Sequence, residues 1–203
     1  GAREARGASV TGLSRRDTGL DLSDEASIEG QLSALSEPFD AILVASGALE
    51  INGARPEKAL SQLTQSAFLD QFIVNAAGPA LILKHAPRLL PKDRPSQFAA
   101  LSARVGSIGD NKIGGWYSYR AAKAALNQII HTGAIELART HKQAVCVALH
   151  PGTVQTPFTA KYLGRHPSVP ASQAALNLLS VLEGLGPDKT GQFFDWEGKP
   201  VPW

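Results

Sequence analysis

A doubly wound, mostly parallel α/β sheet in three layers is the fold this sequence predicts, and three observations carry it. Apolar runs of strand length alternate with helix-period segments along the chain. Residues 39–45 (FDAILVA) are apolar apart from Asp40 near the start, as a strand buried on both faces requires. Polar and small residues collect just beyond the strand ends, at Arg15 and Arg16, Asp21, Ser46-Gly47, Ser102 and Pro151-Gly152. Open α/β sheets bind their ligands in that position.

The elements follow in order. Residues 8–13 (ASVTGL) read as a strand and residues 19–22 as a short second one. Ser23 or Asp24 then stands where a helix cap belongs, opening a helix that runs to about Leu35. Strand 39–45 comes next. A long helix from about Ser66 to Leu90 carries LDQFIVNAAGPALILKHAPRLL, and its Gly78-Pro79 pair predicts a kink. Residues 96–102 form another strand, and a loop leads into a helix over 116–140. Residues 144–149 (AVCVAL) are a strand, 171–183 a helix and 192–194 a last short strand. No repeat or linker interrupts the series, so a single domain over residues 1–203 is expected.

Composition narrows the function classes. The 203 residues, 43% of them hydrophobic, can bury one substantial core. A net charge of +2 without any long Lys/Arg run leaves no electrostatic footprint for nucleic acid. The apolar stretches 39–49 and 76–83 fall short of the ~20 residues that a spanning helix needs, so no membrane partner is expected. The one cysteine, Cys146, allows no disulfide within the chain and has no metal-ligand spacing around it. It reads as a buried strand residue of a cytoplasmic protein.

YSYRAAKAALN places Tyr119 and Lys123 four residues apart, on one helix face and about 6 Å apart along the axis. A lysine that near favours the tyrosinate and predicts a phenol pKa drawn below its usual value of about 10. A tyrosine so tuned can exchange a proton with a carbonyl or alcohol oxygen near neutral pH. His150, just before Pro151, reads as a strand-end histidine satisfied by neighbouring backbone. Trp116 and Tyr117 either line a substrate cleft or staple the helix entrance. Trp196 and Trp203 either cover that cleft or complete the core.

Together these residues resemble the short-chain dehydrogenase/reductase family, over residues 8–203. The stretches SARVGSIGDNKIGGWYSYRAAKAALN and FFDWEGKPVPW are similar to its C-factor and sniffer-type carbonyl reductase branch. The resemblance implies a Rossmann-like domain that moves a hydride between NADP(H) and a small carbonyl or alcohol substrate. Tyr119 would be the general acid/base. Lys123 would tune it and contact the nicotinamide ribose. Asn75, in FIVNAAGPA, would hold a water linking Lys123 to solvent. Pro151, Gly152, Val154 and Thr156 would line the nicotinamide side, with Ser46 and Gly47 at the turn where relatives carry Asn-Ala-Gly.

A serine hydroxyl would stabilise charge on the substrate oxygen. The usual position holds Ala103, which leaves Ser107, twelve residues before Tyr119, slightly ahead of Ser102, seventeen before it. Arg15 and Arg16 at a strand end, without an acidic residue there, favour the 2′-phosphate of NADP over NAD. The same pair can be an ordinary solvated turn. Asp21 would meet the adenine. A C-factor-like signalling or interaction protein is the alternative function. The small residues Ala122, Ala125 and Gly133 would suit either a homodimer contact or packing inside the chain. The glycine-rich turn that opens such domains is not in this sequence, and GAREARGA resembles the tail of the helix that follows it. The first strand and its turn are therefore expected to be missing from the start of the chain.

Overall fold

The computed structural model describes residues 2, 4, 7–156, 159–162 and 167–203. In chain order the elements are α1 (Glu25–Ser33), β1 (Ala41–Val44), α2 (Gln65–Phe72), α3 (Gly78–Lys84), α4 (Ala86–Leu89), β2 (Ser96–Leu101), α5 (Tyr117–Thr140), β3 (Ala144–His150), β4 (Thr153–Gln155), β5 (Ser168–Pro170), α6 (Ala171–Glu183) and β6 (Phe193–Asp195). Four parallel strands form the central sheet in the order β1-β2-β3-β6, and β4 pairs with β5 apart from it.

Alternation along the strands sends side chains to both faces. Phe98, Ala100, Cys146, Ala148 and Phe193 meet Ile28, Leu32, Ile82, Leu126 and Ile130 from α1, α3 and α5. Ala99, Val145, Val147, Leu149 and Phe194 enter a second core closed by Leu178 and Leu182 of α6. Both faces are covered, which is why β3 reads as an unbroken apolar run over 144–149. Burial pushes the Cys146 thiol up to about 12, so it behaves as a small apolar residue.

Local signals set the helix starts. Asp24 caps α1 by accepting from Ala26 N–H at 2.9 Å, and Thr64 caps α2 by accepting from Ala67 N–H at 3.2 Å. The long helix expected to kink at Gly78-Pro79 is instead divided earlier. A π-helical turn over Ile73–Ala77 separates α2 from α3, with Gly78 N–H donating five residues back to Ile73 O. Pro79 has no N–H to give the Asn75 carbonyl, so the widened turn lies where the ordinary ladder fails. Gly78 is required there, because a Cβ would stand 2.6 Å from Leu22 O.

Two expectations are corrected, and one left open is narrowed. Residues 8–13 and 19–22 form no strands. Among the described residues β1 is an edge with no neighbour beyond it, so neither segment has a ladder to join, and Leu43 is left 44% exposed. The run Gln65–Lys84 has 20 residues and a mean hydropathy of 1.3, enough by length and composition to cross a bilayer. It nevertheless packs on α5 and buries Gln71 and Asn75, the behaviour of a core helix. The small residues of α5 serve packing inside the chain: Ala122 is buried, and a Cβ on Gly133 would stand 2.5 Å from Leu83 Cδ2.

Candidate active site at the carboxyl ends of the strands

Tyr119 and Lys123 lie in the first two turns of α5, both buried, at 6% and 3% exposure. Lys123 Nζ sits 5.8 Å from the centre of the Tyr119 ring. It also donates to Leu101 O, the last carbonyl of β2, at 2.9 Å. Gly47, just past β1, closes the same space. A Cβ there would stand 2.8 Å from Asn75 Oδ1 and 3.5 Å from Lys123 Nζ, so only glycine lets the three groups converge. The close approach brings an exposed glycine backbone, a buried amide and the lysine together as one cradle at the end of β1.

Asn75 is fully buried in the π-helical turn. Its Oδ1 accepts from Ala48 N–H at 3.1 Å, while Nδ2 donates to Ala48 O at 2.8 Å and Gln71 Oε1 at 2.7 Å. Gln71 in turn donates to Leu49 O at 2.9 Å. Two amides one turn apart thus clamp the loop after β1.

The two serines separate. Ser102 Oγ donates to Asn127 Oδ1 at 2.6 Å, and Asn127 reaches Gly106 O, so Ser102 ties β2 to α5. Ser107 Oγ accepts from Asp110 N–H at 3.0 Å and donates to no group among the described residues. Its neighbour Gly106 lies so close to Lys123 that a Cβ would meet that residue's backbone carbon at 2.8 Å. Ser107 thus follows a glycine packed on the Lys123 backbone and has a hydrogen still to give.

Burial dominates the electrostatics, and this overturns the expected tuning. Desolvation raises the Tyr119 phenol above its ordinary value, and it lowers Lys123 to about 8. The ammonium lies over the ring and bonds a backbone carbonyl, so it does not offset the loss of water around the phenol. Burial, then the nearby Arg104 guanidinium, push His150 down to about 4. Its Nδ1 is buried without a partner among the described residues, so the expectation of a backbone-satisfied imidazole fails at that nitrogen.

The residues expected around a dinucleotide are spread along one edge. Ser46 and Gly47 are exposed beyond β1. Pro151 and Gly152 follow β3, with Gly152 at φ +75° and its α-carbon against the Trp196 indole. Val154 lies in β4, and Thr156 N–H donates to Thr159 Oγ1 at 3.2 Å. Arg15 and Arg16 fall in an exposed turn rather than at a strand end. Arg16 Nε donates to Asp17 Oδ1 at 3.1 Å, so the turn does carry an acidic residue and Arg15 becomes the stronger phosphate candidate. Asp21 accepts from Ser23 N–H and Oγ–H, which lowers its pKa. Trp116 meets Tyr119 edge-on at 6.2 Å, and Trp203 stacks on Phe193 at 6.0 Å.

Spacing along the sequence did not reveal Gln71, Asn127, Arg120 or Glu57. Arg120 donates to the carbonyls of Gly114, Gly115 and Val105. The Glu57 main chain and carboxylate accept from Trp116 and Ser118 N–H groups. Only Gln71 left a trace, one helical turn before Asn75.

A family model described as enoyl-(acyl carrier protein) reductase matches residues 4–181. The C-signal protein of Myxococcus xanthus is 35% identical over 148 residues, 71% of this chain and 84% of that protein. A 1-hydroxy-2-glutathionyl-2-methyl-3-butene dehydrogenase of Rhodococcus sp. (strain AD45) is 30% identical over 191 residues, 92% of this chain and 80% of its own. Among solved structures, a short-chain dehydrogenase/reductase from Burkholderia multivorans with bound NADP superposes with a TM-score of 0.75 at 27% identity, covering 91% of this chain and 75% of that one. The parallel sheet, the Tyr119–Lys123 helix at its carboxyl edge and these matches converge, and the chain belongs to the short-chain dehydrogenase/reductase family.

Proposed function

We propose that this protein is an NADP-dependent carbonyl reductase in which Tyr119 is the proton donor. The observation that carries the reading is the buried Tyr119–Lys123 pair converging with Gly47 and Asn75. Bound NADPH would supply a hydride to the substrate carbonyl carbon. Burial keeps the Tyr119 phenol protonated at neutral pH, the state needed to give a proton to the carbonyl oxygen as charge develops there. Lys123, at about 8, is charged at neutral pH and stands 5.8 Å from the ring centre, where its charge would favour the tyrosinate in part against the cost of burial. Asn75 and Gln71 hold the loop after β1 in place, and Ser107 is the serine we assign to the substrate oxygen.

In this reading the nicotinamide half of the cofactor lies at the carboxyl ends of the strands. Lys123, Ser46, Gly47, Pro151, Gly152, Val154 and Thr156 would hold it there, and Arg15 with Asp21 would meet the adenosine end. NADP-bound neighbours support the phosphorylated form. The cytoplasmic location remains part of this reading. Tyr119→Phe lowers turnover of aldehydes and ketones with NADPH at least about a thousandfold while leaving the fold and cofactor affinity unchanged. Retention of wild-type turnover by that variant refutes the assignment. The C-signal relative supports a second reading, a nucleotide-dependent signalling protein, which would bind NADPH yet reduce no member of a carbonyl panel.

A further inference from the structure

The start of α5 is poorly equipped to hold itself. Its N-cap residue, Trp116, sits at φ 53°, in the left-handed region, and makes no side-chain cap hydrogen bond. An indole carries a donor and no acceptor, so it cannot serve the N–H groups of the first turn. Gly114 and Gly115, at φ +71° and +66°, bring the chain into this turn. Tyr119 is the third residue of the helix. The proton donor therefore stands on a turn whose sequence contributes no cap.

Glu57, some sixty positions upstream, takes over that role. Its carbonyl accepts from Trp116 N–H at 2.5 Å. Its carboxylate Oε2 accepts from Ser118 N–H at 3.2 Å. The side chain is buried at 3% exposure, and Oε1 meets no partner among the described residues. A buried carboxylate with one oxygen unpaired is costly on stability grounds alone. An acceptor oxygen facing the otherwise unserved N–H groups at the amino end of a 24-residue helix offsets part of that cost.

We propose that Glu57 is a positioning residue for proton transfer, fixing the first turn of α5, and with it Tyr119, from outside the helix. The proposal rests on the assignment of Tyr119 as proton donor. Lys123 lies a full turn deeper, anchored independently by Leu101 O. Loss of the Glu57 contact therefore loosens Tyr119 while leaving the lysine and the Gly47 cradle where they are. A displacement of ~1 Å at a catalytic group costs about a hundredfold in rate.

Two full-length variants test this by steady-state kinetics, NADPH titration and amide hydrogen exchange. Glu57→Leu lowers kcat about tenfold to a hundredfold, with the NADPH Kd within about twofold of wild type, and Ser118 and Tyr119 amides exchange at least about tenfold faster. Glu57→Gln keeps an oxygen for Ser118 N–H and leaves one buried polar atom unpaired, as in the wild type, so kcat stays within about threefold. The proposal is overturned if Glu57→Leu melts earlier but keeps kcat and slow exchange, or if Glu57→Gln falls as far as Glu57→Leu. Should the wild type turn over no carbonyl, the Tyr119 reading fails by itself. Exchange at Ser118 and Tyr119 then decides whether Glu57 holds the turn.

Discussion

Lys123 shows how a residue can be placed by sequence and yet assigned its chemistry by burial. Four-residue spacing from Tyr119 is legible in YSYRAAK, but 3% exposure is not, and desolvation reverses the expected effect on the phenol. With a folded pKa of about 8 against 10.5 for the free side chain, the unfolded chain binds the extra proton between those values. Stability then rises with pH across that window, because deprotonation relieves the buried charge. Tyr119, shifted the other way, opposes the trend above about pH 10. The unfolding free energy from urea titration should therefore increase from pH 8 to pH 10 by on the order of 2 kcal/mol, and Lys123→Met should flatten that slope. An equal slope in the variant would mean that Lys123 is not the titrating group. The serines carry the same lesson, since spacing left Ser102 and Ser107 open, and only the Asn127 contact commits Ser102 to structure.

At the scale of elements, capping residues and apolar period mark α1 and α6 closely. Asp24 opens the first, and the second covers Ala171–Glu183 as expected. The α2–α3 region departs from expectation because Pro79 removes a ladder donor and the widened turn carries Asn75 inward. Strands β4 and β5 went unforeseen, since each is three residues long and its partner lies well away in sequence. Helix α2 also exposes an apolar face: Phe68, Leu69 and Phe72 are 37%, 53% and 47% exposed, and Leu60 beside it is 69% exposed.

Across the whole molecule, the site exists only where strand ends separated by a hundred residues come together. Gly47 follows β1, Ser107 follows β2 and Pro151 follows β3, and the parallel order of the sheet puts all three beyond the same ends of its strands. A cofactor lying along that edge should stabilise the fold as a unit. NADPH at a hundred times its Kd should add about 2.7 kcal/mol, raising Tm more than NADH at equal concentration. Arg15→Ala should erase the difference between the two. Equal shifts from both cofactors in the wild type would remove Arg15 from phosphate recognition.

By itself the sequence determined the alternating α/β architecture, the helix bearing Tyr119 and Lys123, and the kinship carried by SARVGSIGDNKIGGWYSYRAAKAALN. These are consequences of period, capping and local motif, which act over a few residues. Tertiary structure alone decided that β1 forms an edge, that Ser102 is occupied and Ser107 has a hydrogen to give, and that burial sets the proton affinities of Tyr119 and Lys123. It alone also brought Glu57 to the head of α5. Those outcomes depend on desolvation and on hydrogen bonds between distant segments, and neither is encoded in the spacing of neighbouring residues.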